Sequence, residues 1–293
     1  MHLDVLLLPG ELSARPRPEP TAVVVDVLRA TTSIVMAFQH GCRSILPVAD
    51  FEEAQQARMA APGAALAGEQ GGLRIPGFDL GNSPREFTRE AVGGRDVILT
   101  TSNGTKTLRA VGGGRTVAIG AFLNRAAVGD WLVAWGADSL IVCSGYEGAF
   151  SLEDALCAGA IVDRAAGAAA RVALGDGARA CRTLWKEYAG DLPELLRETG
   201  WGQRMLAWAS GRTWRSAPAW TSLSSCPRWR GGASRWERRE PGTHAGAWVA
   251  ESREPRRGRR QAQAAGRNLR VRRIASRATS SGSRAQAAGF GAS

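Results

Sequence analysis

Val23-Val24-Val25-Asp26-Val27-Leu28-Arg29-Ala30-Thr31-Thr32 passes from a β-branched run, through a single carboxylate, into a segment of helical character. The apolar run reads as a strand. A carboxylate at the C-terminal edge of such a strand is a usual place for a magnesium ligand or a nucleophile, since open α/β sheets bind their ligands there. Arg29 and the hydroxyls of Thr31 and Thr32 stand where an anion could meet the start of the following helix. The plainer alternative makes Asp26 a helix cap and Arg29 a solvated side chain.

Outward from this stretch, short β-branched runs alternate with helical patterns over the first 200 residues, the signature of an α/β fold. The expected strands are Leu3–Leu8, Ala22–Val25, Ser44–Val48, Ala64–Ala67, Asp96–Thr100, Thr116–Ile119 and Ser139–Cys143. Asp50 with Glu53 forms a capping box ahead of a helix over Phe51–Ala61. Ser83, Pro84 and Glu86 suit the cap and first turn of a helix to Ala91, and Ser151 with Asp154 opens a longer one through Val162. The expected architecture is a mixed sheet flanked by helices.

Three more clusters follow strands. Gly68-Glu69-Gln70-Gly71-Gly72-Leu73-Arg74-Ile75-Pro76-Gly77-Phe78-Asp79-Leu80-Gly81-Asn82-Ser83-Pro84 is a long Gly-rich loop with a carboxylate near each end. Loops of that length in a compact domain are usually functional, although Ser83 could be only a helix cap. Thr100-Thr101-Ser102-Asn103-Gly104-Thr105-Lys106 offers hydroxyls, an amide and an outward-pointing helix start, a cradle for phosphate. It lacks the GxxxxGK spacing of an ATPase, and an Asn-Gly turn with a Thr cap is the modest alternative. Cys143-Ser144-Gly145-Tyr146-Glu147-Gly148 leads into the helix carrying Glu153 and Asp154. No histidine lies in any cluster to activate a thiol, so Cys143 and Cys157 read as packed apolar residues. Carboxylates, hydroxyls, amides and Arg suit Mg²⁺, which prefers oxygen ligands. The residues by themselves reach an anion-binding, metal-assisted hydrolase.

The four stretches DVLRATT (26–32), GEQGGLRIPGFDLGNSP (68–84), TTSNGTKTL (100–108) and CSGYEGAFSLEDALCAGAIV (143–162), in this order, resemble the 2-phosphosulfolactate phosphatase family. The similarity covers roughly residues 3–206. It implies a distinctive α/β fold, a homodimer, and Mg²⁺-dependent hydrolysis of 2-phospho-3-sulfolactate to 3-sulfolactate and phosphate, a step toward coenzyme M. Asp26, Glu69, Asp79, Asn103, Glu147 and Asp154 fall on motif positions. The expected catalytic carboxylates are therefore Asp26, Glu69, Asp79 and Asp154, and the expected metal ligands Asp26, Asp79 and Glu147. Substrate contacts are expected from Arg29, Thr31, Arg74, Asn82, Ser83, Thr101, Ser102, Asn103, Gly104 and Thr105, with Arg74 as the partner of a second anionic group.

Past residue 200 the composition changes. Residues 201–293 hold 19 Arg, no Lys or Asp and 4 Glu, so the net charge of +11 belongs to this tail, and seven of the ten Trp lie there. Periodicity is lost, and the expectation is a catalytic domain over 1–206 followed by a disordered tail over 207–293. A Trp-, Arg-, Ser- and Pro-rich stretch is what GC-rich coding DNA gives out of frame, and the body, with 17 Arg against 2 Lys, fits such a genome. In the shifted frame Trp220 followed by Thr221 must read as Asp. If the tail is genuine, it favours a salt-dependent nucleic-acid partner instead. A non-catalytic small-anion sensor is the third alternative. No basic leader, no membrane-length apolar run and no paired-cysteine or zinc spacing is found, so a reduced, cytoplasmic, soluble protein is expected.

Overall fold

A computed structural model describes residues 1–15, 19–112, 115–168, 171–209, 248–252 and 269–273 of the chain. In chain order the first half supplies β1 (His2–Leu6), β2 (Thr21–Val25), α1 (Ala30–Gln39), β3 (Ser44–Pro47), α2 (Phe51–Ala60), β4 (Ala65–Gln70), β5 (Leu73–Arg74), α3 (Arg89–Val92), β6 (Asp96–Thr100), α4 (Gly104–Val111) and β7 (Thr116–Gly120). There follow α5 (Arg125–Trp135), β8 (Ser139–Cys143), α6 (Leu152–Ala168), β9 (Ala173–Leu174), α7 (Asp176–Tyr188), α8 (Leu192–Glu198), α9 (Gly200–Ala209), β10 (Trp248–Ser252) and β11 (Leu269–Arg273). The strands make one mixed sheet in the order β5-β4-β6-β3-β11-β10-β7-β2-β8-β1-β9.

Two blocks of the sheet are parallel, β4-β6-β3 and β7-β2-β8-β1-β9. Strand β2 lies between β7 and β8, with Val24 opposite Ile119 on one side and Val142 on the other. Every residue of β2 is buried. Its side chains alternate between two cores. Ala22 and Val24 pack with Ile34, Phe38 and Leu108 from α1 and α4, while Val23 and Val25 pack with Val128, Leu132 and Ile161 from α5 and α6. A strand buried on both faces has no polar alternation to show, which is why its sequence is a run of valines.

The start of α2 forms as its residues dictate: Asp50 accepts the Glu53 amide at 2.9 Å, and Glu53 accepts the Ala49 amide at 2.8 Å. The helix expected from Ser83 does not form. Glu86 instead reaches back to the Gly81 amide at 2.7 Å, and the helical turn waits until Thr88 accepts the Ala91 amide ahead of Arg89. A loop bound by its own carboxylate has no need of helical hydrogen bonds.

The tail enters the sheet at two places where no strand is expected from the sequence. β10 pairs antiparallel with β7 and β11, and β11 pairs antiparallel with β3. Two facing strand edges need backbone partners whatever the side-chain periodicity of the segment that supplies them. The expectation of disorder for residues 207–293 otherwise falls on positions outside the described residues. Order also runs past residue 200, because α9 continues to Ala209.

Helices α6 and α7 pack closely against each other. A Cβ on Gly159 would stand 2.0 Å from the Cys181 carbonyl oxygen, whereas one on Gly63 would meet nothing within 4 Å. Gly159→Ala is therefore expected to lower stability by roughly 2–3 kcal/mol, or about 5–10 °C in a thermal melt, with Gly63→Ala close to neutral.

Candidate active site

Four turns meet at the C-terminal ends of β2, β4, β6 and β8. Asp26 follows β2 and is 8 % exposed. Its Oδ1 accepts the Ala30 amide at 3.0 Å, so it does cap α1. Thr31 fixes its backbone on both sides, with Oγ1 accepting the Asp26 amide at 3.0 Å and donating to the Asp26 carbonyl at 2.8 Å. The second carboxylate oxygen lies against Gly104, where a Cβ would come within 2.7 Å of it. Glycine at 104 is thus what lets the start of α4 close on Asp26.

Glu69, at the end of β4, accepts the Ser102 amide at 2.7 Å with Oε1 and the Gly72 amide at 2.6 Å with Oε2. The Ser102 hydroxyl donates to the same Oε2 at 3.1 Å. Glu69 therefore binds the Gly-rich loop to the turn after β6. Arg29 is buried beside it and donates through Nη2 to the Gly72 carbonyl at 2.7 Å. Ser102 and Asn103 face the pocket, while Thr101 and Thr105 are spent on each other: each backbone amide donates to the other's Oγ1 at 3.0 Å.

Asp154, in the first turn of α6, is fully enclosed. Its Oδ1 accepts the Val27 amide at 2.8 Å and its Oδ2 the Gly145 amide at 3.2 Å, and its own amide donates to Ser151 Oγ. Burial, and then the neighbouring Asp26, push its carboxyl well above the carboxylate range. Asp26 is itself raised to about 6, first by burial and then, against the pull of the Ala30 amide, by Glu69 and Glu153. Glu153, which sequence reasoning left outside the site, is buried in the same pocket and raised chiefly by burial; the Ser151 and Thr199 hydroxyls oppose the shift. Its signal was its place beside Asp154, hidden by the capping role open to Ser151–Asp154. Glu147 stands at the rim on a left-handed backbone (φ 50°) and accepts from the Tyr146 hydroxyl at 2.6 Å.

Among the expected site residues, Asp79, Arg74, Thr31, Ser83, Thr101, Gly104 and Thr105 take no place in the pocket lining. Asp79, placed by sequence among both the catalytic carboxylates and the metal ligands, accepts the Leu66 amide at 2.9 Å and pairs with Arg58 at 3.1 Å. Those partners hold its carboxyl below the usual range against a partial burial that would raise it. Asp79 thus closes the Gly-rich loop against β4 and takes no place in the pocket lining. Arg74 is exposed, with Nη1 3.5 Å from the Asp79 carbonyl, and takes no place in the pocket lining. Ser83 is buried, accepts the Arg85 amide at 3.3 Å, and like Thr31 lies behind the lining. Asn82 does line the pocket. Among the described residues its buried Oδ1 has no hydrogen-bond partner, an acceptor left open to a ligand. The thiols of Cys143 and Cys157 are buried and driven up first by that burial, which leaves them inert.

Five carboxylates and one guanidinium line the pocket. Among the described residues no three His, Cys, Asp or Glu groups converge as a ready-made metal cage. Mg²⁺ asks for less, since it is usually held by one or two carboxylates together with waters and substrate oxygens. The Asp26–Asp154 pair and the orphaned Asn82 acceptor fit that demand, because a dication would relieve two carboxylates that burial penalises.

Such a pocket, acidic yet edged by turn amides and an arginine, suits a hydrolase of phosphate esters. The family model described as 2-phosphosulpholactate phosphatase matches residues 6–212. A protein of Thermotoga petrophila named a probable 2-phosphosulfolactate phosphatase is 40% identical over 187 residues, covering 64% of this chain and 79% of the relative. Proteins of the same name from Symbiobacterium thermophilum and Prochlorococcus marinus are 41% and 42% identical, across 80% and 78% of their lengths. The chain belongs to the 2-phosphosulpholactate phosphatase family, and with it to the phosphoric monoester hydrolases.

The raised carboxyl of Asp26 has a consequence for stability. Held at about 6 in the fold against an ordinary 3.8, it is protonated more readily folded than unfolded. Folding is thus penalised as pH rises from about 4 through 6, and above that the penalty is fully present. Asp26→Asn, which keeps an acceptor for the Ala30 amide, is expected to raise the melting temperature of the metal-free protein by several degrees at pH 7.5. The gain should vanish near pH 4 when melts are run across that range.

Proposed function

We propose that this chain hydrolyses 2-phospho-3-sulfolactate to 3-sulfolactate and inorganic phosphate with the help of Mg²⁺, a step toward coenzyme M. The observation that carries the reading is the buried Asp26–Asp154 pair, set beside the Ser102–Asn103 turn and Arg29. In water two such carboxylates would have no reason to share a dry site; at a phosphoryl-transfer centre they hold a dication. Bound Mg²⁺ would supply charge neutralisation on the phosphoryl oxygens.

The chain's own residues do the rest. Asp26 and Asp154 take the metal, with Asp154 already fixed by the Val27 and Gly145 amides. The Ser102–Asn103 turn at the start of α4 and the Arg29 guanidinium receive phosphoryl oxygens, and Glu69 keeps that turn and the Gly72 loop in register. Water attacks phosphorus and its oxygen stays in the inorganic phosphate, the ester P–O bond breaks, and the proton that the water loses ends on the departing C2 oxygen. Burial of the whole site strengthens each of these electrostatic contacts.

The expected result is phosphate release from 2-phospho-3-sulfolactate that is lost in EDTA and restored by Mg²⁺. Asp154→Asn should lower kcat at least 100-fold in a protein that still melts cooperatively, while Asp79→Asn stays within a few-fold of wild type. Release that survives EDTA would overturn the metal assignment.

We further read the protein as a cytoplasmic homodimer. Free, buried Cys42, Cys143, Cys157 and Cys181 support a reducing compartment, and among the described residues no helix is long and apolar enough to cross a membrane. The tail over residues 207–293 we read as a shifted frame of a GC-rich gene. Sequencing the DNA around codons 200–235 is expected to show one base whose correction restores a patterned C-terminal stretch; a sound frame there removes the idea and brings the basic tail forward as a nucleic-acid-binding extension.

A further inference from the structure

The Arg204 side chain is placed at the pocket rim by α9. Trp201 and Met205 of that helix are buried against Leu28 and Tyr146, and Thr199 caps it by accepting the Gly202 amide at 3.1 Å. Trp201 and Tyr146 both line the pocket, with ring centroids 4.6 Å apart. One turn further on, the Arg204 guanidinium carbon lies 5.1 Å from the Tyr146 ring centre and 5.8 Å from that of Trp201. Its Nη1 hydrogen-bonds the Tyr146 hydroxyl and stands 3.8 Å from Glu147 Oε1.

We propose that Arg204 is the specificity-determining residue of this pocket, binding the sulfonate of the substrate at the end opposite the phosphate. The proposal rests on the phosphatase reading above, and three observations support it. The pocket lining has one guanidinium, and Arg29 is committed deep in the site to the Gly72 carbonyl, between Asp26 and Glu69. A substrate carrying a phosphate, a carboxylate and a sulfonate needs a second cation, and Arg74, the residue that sequence suggests, is exposed and takes no place in the pocket lining. Two aromatic rings within cation–π reach hold the guanidinium in place, and its planar fork of donors extends beyond the single bond to the Tyr146 hydroxyl, as an oxyanion requires. Finally, the partner to be displaced is weakly held. Glu147 is 71% exposed at its side chain, its contact with Arg204 is long, and it sits on a loop whose flanking Gly145 and Gly148 both have positive φ (64° and 79°). A sulfonate entering beside Tyr146 exchanges an exposed, distant carboxylate partner for an oxyanion held at the pocket rim.

The test compares ligands that differ only at that end. Turnover is measured in Mg²⁺ with 2-phospho-3-sulfolactate and with 2-phospholactate, which carries a methyl group where the sulfonatomethyl stood. Equilibrium binding of 3-sulfolactate and lactate is measured by calorimetry. Wild type should prefer the sulfonated member of each pair, in KM and in Kd, by at least tenfold. Arg204→Ala should collapse both ratios toward one with kcat on the sulfonated substrate largely retained. Arg204→Gln keeps a donor for Tyr146 but no charge and should behave the same way, whereas Arg204→Lys should recover part of the preference. Melting temperatures separate loss of the charge from loss of α9. A preference that survives in the folded Ala and Gln variants overturns the proposal, as does a wild-type protein that binds 3-sulfolactate no better than lactate. A wild type that keeps the binding preference but releases no phosphate from either ester sinks the phosphatase reading alone and leaves Arg204 its role.

Discussion

The carboxylate of Asp154 holds the site together before any ligand arrives. It accepts an amide from the turn after β2 with one oxygen and an amide from the turn after β8 with the other. Charge-assisted bonds of this kind, away from water, are among the stronger single contacts a protein can make. Their cost is that a charged group sits in a dry place next to Asp26, and both carboxyls respond by moving toward the protonated form. A proton or a cation sharing the space would relieve that cost. Structure and electrostatics therefore depend on the same pair of carboxylates: what positions the loops also sets the charge of the pocket.

The remaining acidic groups divide by how far they are already satisfied. Glu69 spends both oxygens on backbone amides and a hydroxyl, so it shapes the phosphate end of the pocket more than it reacts there. Glu147 is at the rim, exposed and free to exchange partners. Asp79 is outside altogether. An exposed pair such as Asp79–Arg58 is worth under about 1 kcal/mol, and its use is to close a loop at low energy.

Much of the fold is legible in the residues. β6 and β8 run over the stretches their β-branched content indicates, and the Asp50 and Ser151 caps form as their side chains require. Ser83-Pro84-Arg85-Glu86 misleads because the same carboxylate that would complete a cap finds a better acceptor role at Gly81. Within the site, Asp26, Arg29, Glu69, Asn103 and Asp154 were visible as strand-end residues. Asp79 looked equivalent because sequence shows that a carboxylate lies on a loop and not which side of it faces in. Trp201 and Arg204 were hidden for a different reason. They belong to a stretch whose composition had already turned toward the tail, and only the packing of α9 on Tyr146 reveals them.

The place of β10 and β11 bears on how the chain reaches this state. They lie between β3 and β7, at the middle of the sheet, yet they follow Gly120 by more than a hundred residues. During synthesis the two parallel blocks can each form while the seam between them waits for late-arriving strands. Contacts so distant along the chain close slowly, since the loop entropy is lost before the pairing is gained. Until then β3 and β7 present open edges, and whatever segment follows α9, in this reading frame or the shifted one, has to cover them before they pair with a wrong strand.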